Sequence, residues 1–297
     1  MIRIHETNPS RVEKTFGGIM RWKQFLTPVK SFDADQARNY IENRNSDELT
    51  ILDVRQANEY ESGHISGSKL IPLPDLTERL HEIDPEKPTV VYCGIGGRSR
   101  IAAQMLAGNG FENVYNLSGG FKVWEGEAAV GKEDLGLELF TGDESLEKTL
   151  LVAYSLEAGL REFYSSMIPK IKNEDARNIF KKLSEIEVKH QDRIFNEYIR
   201  LSGKPVSREA FEKNILHTVV EGGLTTEEYT NLFQPDWESA ADIIGLAMSI
   251  EAQALDLYLR AADRSPNPES RKVLAQIGDE ERAHLKQLGK LMETIDS

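Results

Sequence analysis

Apolar positions follow two different rhythms along the 297-residue chain. Between Thr50 and Gly126, short β-like runs alternate with helical patterns, beginning with Thr50-Ile51-Leu52-Asp53-Val54 and continuing through Thr89-Val90-Val91-Tyr92 and Asn113-Val114-Tyr115. That alternation predicts an α/β domain with a parallel sheet. Past the Gly-rich, acidic stretch Gly126 to Gly142 the spacing becomes helical, which places a domain boundary there. Four long helices are predicted: Ser145 to Ile168, Asn173 to Leu201, Trp237 to Arg264 and Pro268 to Thr294. They form two hairpins, joined by a Ser202 to Asp236 segment far longer than an antiparallel connection requires, which predicts an all-α four-helix bundle with a long crossover. The expected division is an N-terminal arm (1–30), an α/β domain (31–128), a linker (129–143) and the bundle (144–297).

The hairpins repeat one another at an offset of 94 residues. Ser155-Leu156-Glu157-Ala158 falls on Ser249-Ile250-Glu251-Ala252, Glu187-Val188-Lys189-His190 on Glu281-Arg282-Ala283-His284, and Tyr164 on Tyr258. Residues three apart share a helix face, so Glu187 with His190 and Glu281 with His284 each form a two-ligand claw. Glu157 and Glu251 sit inside apolar stripes, flanked by Leu156 and Leu160 in one helix and by Ile250 and Leu255 in the other. A carboxylate buried without a partner is costly, so these positions call for a cation. One Glu from each of two helices and one Glu-x-x-His from each of the others is the ligand set of a di-metal carboxylate bundle, in which four carboxylates balance two divalent ions. A single Glu-x-x-His is common by chance; two at one repeat offset, each accompanied by a stripe Glu, are not. Glu185 and Glu280 are expected at the surface, and Tyr164 and Tyr258 either hydrogen-bond to ligands or pack the core.

Cys93 follows the strand Thr89 to Tyr92 and opens Cys93-Gly94-Ile95-Gly96-Gly97-Arg98-Ser99, after which Arg100 to Ala107 reads as a helix. Glycines at a strand-to-helix turn let consecutive backbone N–H groups curl around the sulfur, and the helix N-terminus adds partial positive charge. Both effects, with Arg98, favour thiolate over thiol. A buried structural cysteine is the alternative, which three glycines and an Arg-Ser pair in the next six residues disfavour.

Composition narrows the field. A formal charge of −13 disfavours nucleic acid, whose phosphates need clustered Lys and Arg. No apolar run approaches the roughly 18 residues of a membrane span, and the polar N-terminus lacks a signal-peptide core, so a cytoplasmic protein is expected. One cysteine excludes internal disulfides and four-cysteine metal sites.

The cysteine loop, with Leu52-Asp53-Val54-Arg55, Glu59, Gly63-His64-Ile65-Ser66-Gly67, Gly119-Gly120-Phe121 and Trp124, resembles rhodanese-like sulfurtransferase domains over about Ser31 to Gly126. That resemblance implies that Cys93 carries sulfane sulfur as a persulfide, in a substrate loop of Gly94, Ile95, Gly96, Gly97 and Ser99. Arg98 acts there as an anion contact or as a brace. The short loop is the version associated with sulfur, whereas related phosphatases and arsenate reductases use a longer one. Thiosulfate, small persulfides and polysulfides are all open as donors, and with no second cysteine the thiol acceptor is external. Asp53 and His64 read as structural, and His217 in the crossover as surface. Residues from about Glu138 to Ser297 resemble the rubrerythrin branch of the ferritin-like superfamily. This implies a non-haem di-iron centre, with manganese or zinc as alternatives, on Glu157, Glu187, His190, Glu251, Glu281 and His284, able to reduce peroxide or react with dioxygen. No nucleotide cofactor is expected, electrons would come from an external donor, and a homodimer is expected. The familiar rubrerythrin carries a further Glu three residues after the third-helix ligand, where this chain has Ala254. The rival readings make the bundle an iron or oxygen sensor that regulates the rhodanese domain, or a scaffold.

Overall fold

The computed structural model describes residues 28–172, 174–203, 205–215 and 224–295. His217 lies outside them. The N-terminal half is a parallel sheet of five strands, β1 (Lys30–Phe32), β2 (Thr50–Asp53), β4 (Lys69–Leu70), β5 (Thr89–Tyr92) and β6 (Val114–Leu117), in the order β1-β6-β5-β2-β4. Helices α1 (Ala34–Glu42), α2 (Ala57–Glu61) and α3 (Gly97–Gly108) connect them, and a two-stranded antiparallel ribbon joins β3 (His64–Ile65) to β7 (Ala128–Ala129). Alternation along the strands divides the core between the sheet's two faces. Leu52, Val91 and Cys93 pack with Ala102 and Leu106 of α3, while Ile51, Val90, Tyr92 and Leu117 pack with Ala37 and Ile41 of α1. The nucleophile candidate thus stands at the end of a central strand, on the α3 side. The short outer strands β1 and β4, which the hydrophobic pattern did not signal, complete the sheet.

The C-terminal half holds four long helices, which pair as the two expected hairpins: α4 (Leu146–Met167) with α5 (Glu174–Ser202), and α8 (Ala240–Arg264) with α9 (Pro268–Ile295). Two short helices, α6 (Arg208–Glu212) and α7 (Thr226–Phe233), lie within the crossover. Phe211 of α6 and Tyr229 of α7 are buried against the bundle, so the crossover adds to its core. Two apolar clusters fill the bundle. One is built around Leu150, Leu156, Ile194, Leu257 and Ile277, the other around Leu160, Phe163, Phe180, Ile244 and Ile250. The Glu157 position falls between Leu156 of the first and Leu160 of the second, so a polar layer is sandwiched between apolar ones.

Residues 129–143, expected as a linker, instead strap the two halves together. The side chain of Gln253 accepts from the Val130 N–H (2.6 Å) and donates to its carbonyl (2.9 Å). Arg260 donates to the carbonyls of Glu133 and Leu135, and Leu137 and Phe140 enter the bundle core. Backbone groups of an irregular segment must find partners when covered, and here helix α8 supplies them. The seam continues through Ser66, whose hydroxyl donates to the Ala252 carbonyl (3.0 Å), and through Gly67, whose N–H donates to Asp256 (2.9 Å). Gly67 has φ +75°, and a Cβ there would lie 2.3 Å from Leu259 Cδ1, so only glycine lets the loop lie this close to α8.

Candidate active site and metal centre

Cys93 is buried and is in no disulfide. Gly96, with φ +92°, turns the chain into α3 and aims its N–H at the sulfur at 3.2 Å. Ser99 Oγ lies 3.4 Å from the sulfur but only 2.7 Å from Asn116 Oδ1. A hydroxyl has one proton, and Asn116 is the nearer acceptor, so the Gly96 amide is the dependable donor, with the amides of Ile95 and Ser99 adding to its effect. Burial works to raise the Cys93 thiol, but the hydrogen bonds of this loop outweigh it, and the thiol titrates below its ordinary range. Behind the loop, Phe121 N–H donates to the Cys93 carbonyl (2.7 Å) and Lys122 N–H to that of Gly94 (3.1 Å). A Cβ at Gly120 would sit 2.1 Å from the Cys93 carbonyl oxygen, so a glycine is required for that backing.

Arg98 meets Glu59 in a fork of two short bonds, Nη1 to Oε2 at 2.7 Å and Nη2 to Oε1 at 2.6 Å. The Arg98 bond holds the Glu59 carboxyl down at about 2, against a smaller upward push from partial burial. Glu59 lies 39 residues from Arg98, on α2, and its part as the partner of Arg98 was not read from the sequence. Asp53 and His64 stand apart from Cys93. Asp53 accepts from Arg55, whose guanidinium also donates to the Gly63 carbonyl and stacks over Phe121. His64 stacks on Tyr60, and its Nε2 lies 3.3 Å from Asp256 Oδ1 across the seam.

In the bundle, Glu157 of α4, Glu187 and His190 of α5, Glu251 of α8, and Glu281 and His284 of α9 converge on one buried layer. All four carboxylates are fully buried, and the two imidazoles lie stacked with centroids 4.7 Å apart. His190 Nδ1 is 3.1 Å from Glu157 Oε2 and 3.4 Å from Glu187 Oε2, while His284 Nδ1 is 3.4 Å from Glu251 Oε2 and 3.3 Å from Glu281 Oε2. Three overlapping groups have ligand atoms within 4.8 Å of one another: Glu187, His190 and His284; Glu157, His190 and Glu281; and Glu251, Glu281 and His284. Donors that share one small cation through bonds of about 2.1 Å stand about 3.0–3.4 Å apart, so these spacings fit metal ligation. Glu157 Oε1 and both oxygens of Glu187 have no hydrogen-bond donor among the described residues, as expected of oxygens reserved for a cation. Burial and the adjacent Glu157 charge push Glu187 well up, whereas at Glu157 the effect of His190 outweighs burial and the shift is downward.

Around the layer, the Tyr164 hydroxyl donates to Glu251 Oε1 at 2.8 Å, while Tyr258 packs beside Phe140. Glu185 is exposed. Glu280, expected at the surface, is instead partly buried in a 2.6 Å ion pair with Arg193, because α5 and α9 approach one another beside the ligand layer.

Among the described residues no helix is long and apolar enough to cross a membrane. A protein-family model described as Rhodanese-like domain matches residues 33–127, and one described as Rubrerythrin matches residues 148–292. The uncharacterized protein YqhL of Bacillus subtilis (strain 168) is 48% identical over 82 residues, which span 28% of this chain and 65% of that protein. The thiosulfate sulfurtransferase GlpE of Pseudomonas entomophila (strain L48) is 35% identical over 88 residues, covering 28% of this chain and 81% of GlpE. Among solved structures, a rhodanese-like domain protein from Staphylococcus aureus is 28% identical with a TM-score of 0.30, covering 32% of this chain and 91% of that one. The chain spans less than two thirds of YqhL and about a third of the chloroplastic rhodanese-like/PpiC domain-containing protein 12 of Arabidopsis thaliana. This chain belongs to the rhodanese-like proteins and carries, fused behind that domain, a rubrerythrin domain.

Proposed function

We propose that Cys93 is the carrier of a sulfurtransferase and that the bundle is a di-iron redox centre reducing peroxide or dioxygen. The observation that carries the first half is the Cys93 sulfur, buried at a strand-to-helix turn, hydrogen-bonded by the Gly96 amide and titrating below its ordinary range, with Arg98 beside it. Such a cradle stabilises an anionic sulfur and the terminal sulfur of a persulfide alike. The thiolate attacks the outer sulfur of a donor, a new S–S bond forms to Cys93, and the donor's own bond breaks with its electron pair leaving on the departing group. An external thiol then takes the sulfur by the same displacement in reverse. The name of the GlpE relatives supports this reading.

For the bundle, the six buried ligands and their spacing support two metal ions, and the rubrerythrin match favours iron. Iron held there would supply electrons to peroxide, whose reduction to water takes two electrons and two protons, the electrons coming from an external donor. The residues of this chain hold and orient that centre. Tyr164 fixes Glu251, the stacked histidines cap the layer, and the apolar clusters on either side exclude water. The test is direct: metal analysis after iron loading, and peroxide consumption with a supplied reductant. Tight iron binding without turnover would favour the sensing reading, for which one feature of α8 speaks. That helix carries Glu251 and, one residue on, the Ala252 carbonyl that grips Ser66 of the rhodanese half.

A further inference from the structure

Three features of the mouth above Cys93 bear on which donor it takes. The cation nearest the sulfur, Arg98, also reaches Cys93, but most of its charge is offset by Glu59 through two hydrogen bonds. The Glu59 carboxylate itself stands at the rim: a Cβ on Gly94, the residue after the nucleophile, would lie 3.6 Å from Glu59 Oε1 and 3.5 Å from Arg98 Nη2. Two apolar side chains flank the opening, Ile95 in the loop, 75% exposed, and Val123, 39% exposed, in the turn hydrogen-bonded to that loop. Arg100 and Lys122 are exposed to water, where screening leaves them little hold on an anion.

We infer that Glu59 sets the donor class, and that Cys93 is charged from an organic hydropersulfide, R–S–SH, in preference to thiosulfate. This rests on the sulfur-transfer reading above. With thiosulfate a dianion approaches a thiolate and a second dianion, sulfite, must leave; neither finds an uncommitted cation at this mouth, in a chain of formal charge −13. With a hydropersulfide, the Cys93 thiolate attacks the outer sulfur, the Cys93 S–S bond forms, and the donor's S–S bond breaks. The electron pair leaves on R–S⁻, which takes the proton of the transferred sulfur and departs as R–SH. No step gathers more than one negative charge beyond the thiolate, and Ile95 and Val123 offer apolar contact to R. The same carboxylate that braces Arg98 thereby discriminates between the two donors.

The experiment loads the full chain with one sulfur atom, followed by intact mass, using glutathione persulfide or thiosulfate, each rate being normalised to that donor's reaction with free cysteine. The expected result is at least about tenfold faster normalised loading from glutathione persulfide. Glu59→Gln, which frees the Arg98 charge, raises thiosulfate loading relative to persulfide loading by about tenfold or more, the scale of one charge a few ångströms from a dianion in a partly solvated mouth. Gly94→Arg is the second variant. It adds a cation beside the nucleophile at a position with ordinary van der Waals room, close enough to compete for Glu59, and is expected to raise the ratio of thiosulfate to persulfide loading. Preferential loading of the parent from thiosulfate overturns the inference, as does a ratio of thiosulfate to persulfide loading unmoved in both variants while they remain folded. Failure of either donor to load any of the proteins instead overturns the sulfur-transfer reading itself.

Discussion

The seam between the halves turns on Asp256, and replacing it by alanine is the sharpest test of whether the two domains form one unit. Asp256 is 1% exposed and accepts from Arg260 Nε at 2.7 Å and from Gly67 N–H at 2.9 Å, with His64 Nε2 at 3.3 Å. Asp256→Ala takes from the buried Arg260 guanidinium the carboxylate it hydrogen-bonds, at a cost of about 3–5 kcal/mol. It also leaves the Gly67 N–H without its acceptor, worth about 1–3 kcal/mol where water cannot reach. Because the two losses share one cavity they do not simply add, and about 4 kcal/mol is expected. In urea, followed by tryptophan fluorescence in single-tryptophan variants that keep Trp124 in one half or Trp237 in the other, the parent background should unfold in a single transition and the Asp256→Ala background in two. The paired change Asp256→Leu with Arg260→Met removes both charges and should recover the part of the loss due to the stranded guanidinium, but not the part due to the Gly67 N–H. There is a pH signature as well. Burial opposes the charge on Asp256, but Arg260, His64 and the Gly67 amide outweigh it and hold the carboxyl well below the usual range. The stabilisation is thus complete above the unfolded carboxyl value of about 3.9 and is lost as pH falls below it, a dependence that Asp256→Asn should remove. A loss under about 1 kcal/mol in Asp256→Ala, or a parent that already unfolds in two steps, would refute the reasoning.

Other outcomes follow from the two sites. Cys93→Ser should abolish sulfur loading and leave metal content unchanged by elemental analysis, because the thiol and the ligand layer share no residue. Glu187→Ala should remove most bound metal from the purified protein while sulfur loading of Cys93 stays within about twofold. Gly96→Ala forces a side chain into a left-handed conformation costing about 1–2 kcal/mol. Its Cβ would also meet Gly119 N at 3.0 Å, so the amide aimed at the sulfur should swing away. Iodoacetamide alkylation as a function of pH should then show the thiol titrating higher than in the parent, with a smaller change in Ser99→Ala, whose hydroxyl is already committed to Asn116. In the parent the lowered thiol keeps Cys93 reactive as pH falls below about 8.5, the ordinary thiol value.

The bundle was legible because its information is local and repeated. A Glu three residues from a His, on a helix whose apolar stripe is readable, puts two candidate ligands on one face, and the offset of 94 residues points to the other four. Cys93 was legible because the amides that hold it come from the next six residues. What escaped has partners far away in sequence and on unlike elements: Glu59 with Arg98, Ser66 with Ala252, and the Gln253, Asp256 and Arg260 side chains that turn residues 129–143 from a spacer into a strap. The short strands β1 and β4 escaped for a related reason, since two or three residues give no period and their pairing is supplied by the sheet.

The seam nevertheless left a trace in the places where the repeat fails. Shifting Gln253, Asp256 and Arg260 back by 94 residues gives Gly159, Glu162 and Ser166, and of these Glu162 and Ser166 are exposed on α4 whereas their counterparts are buried on α8. A helix that must hold a ligand on one face and meet only solvent on the other can vary freely on the outer face. One that meets a second domain there needs polar groups placed at i, i+3 and i+7 to satisfy the backbone it covers. Gln253, Asp256 and Arg260 stand at that spacing, and between them they serve the backbone of Val130, Gly67, Glu133 and Leu135. In a duplicated bundle, the copy whose outer face departs from the repeat in this pattern is the one that carries the partner domain, and the departure alone locates the docking face.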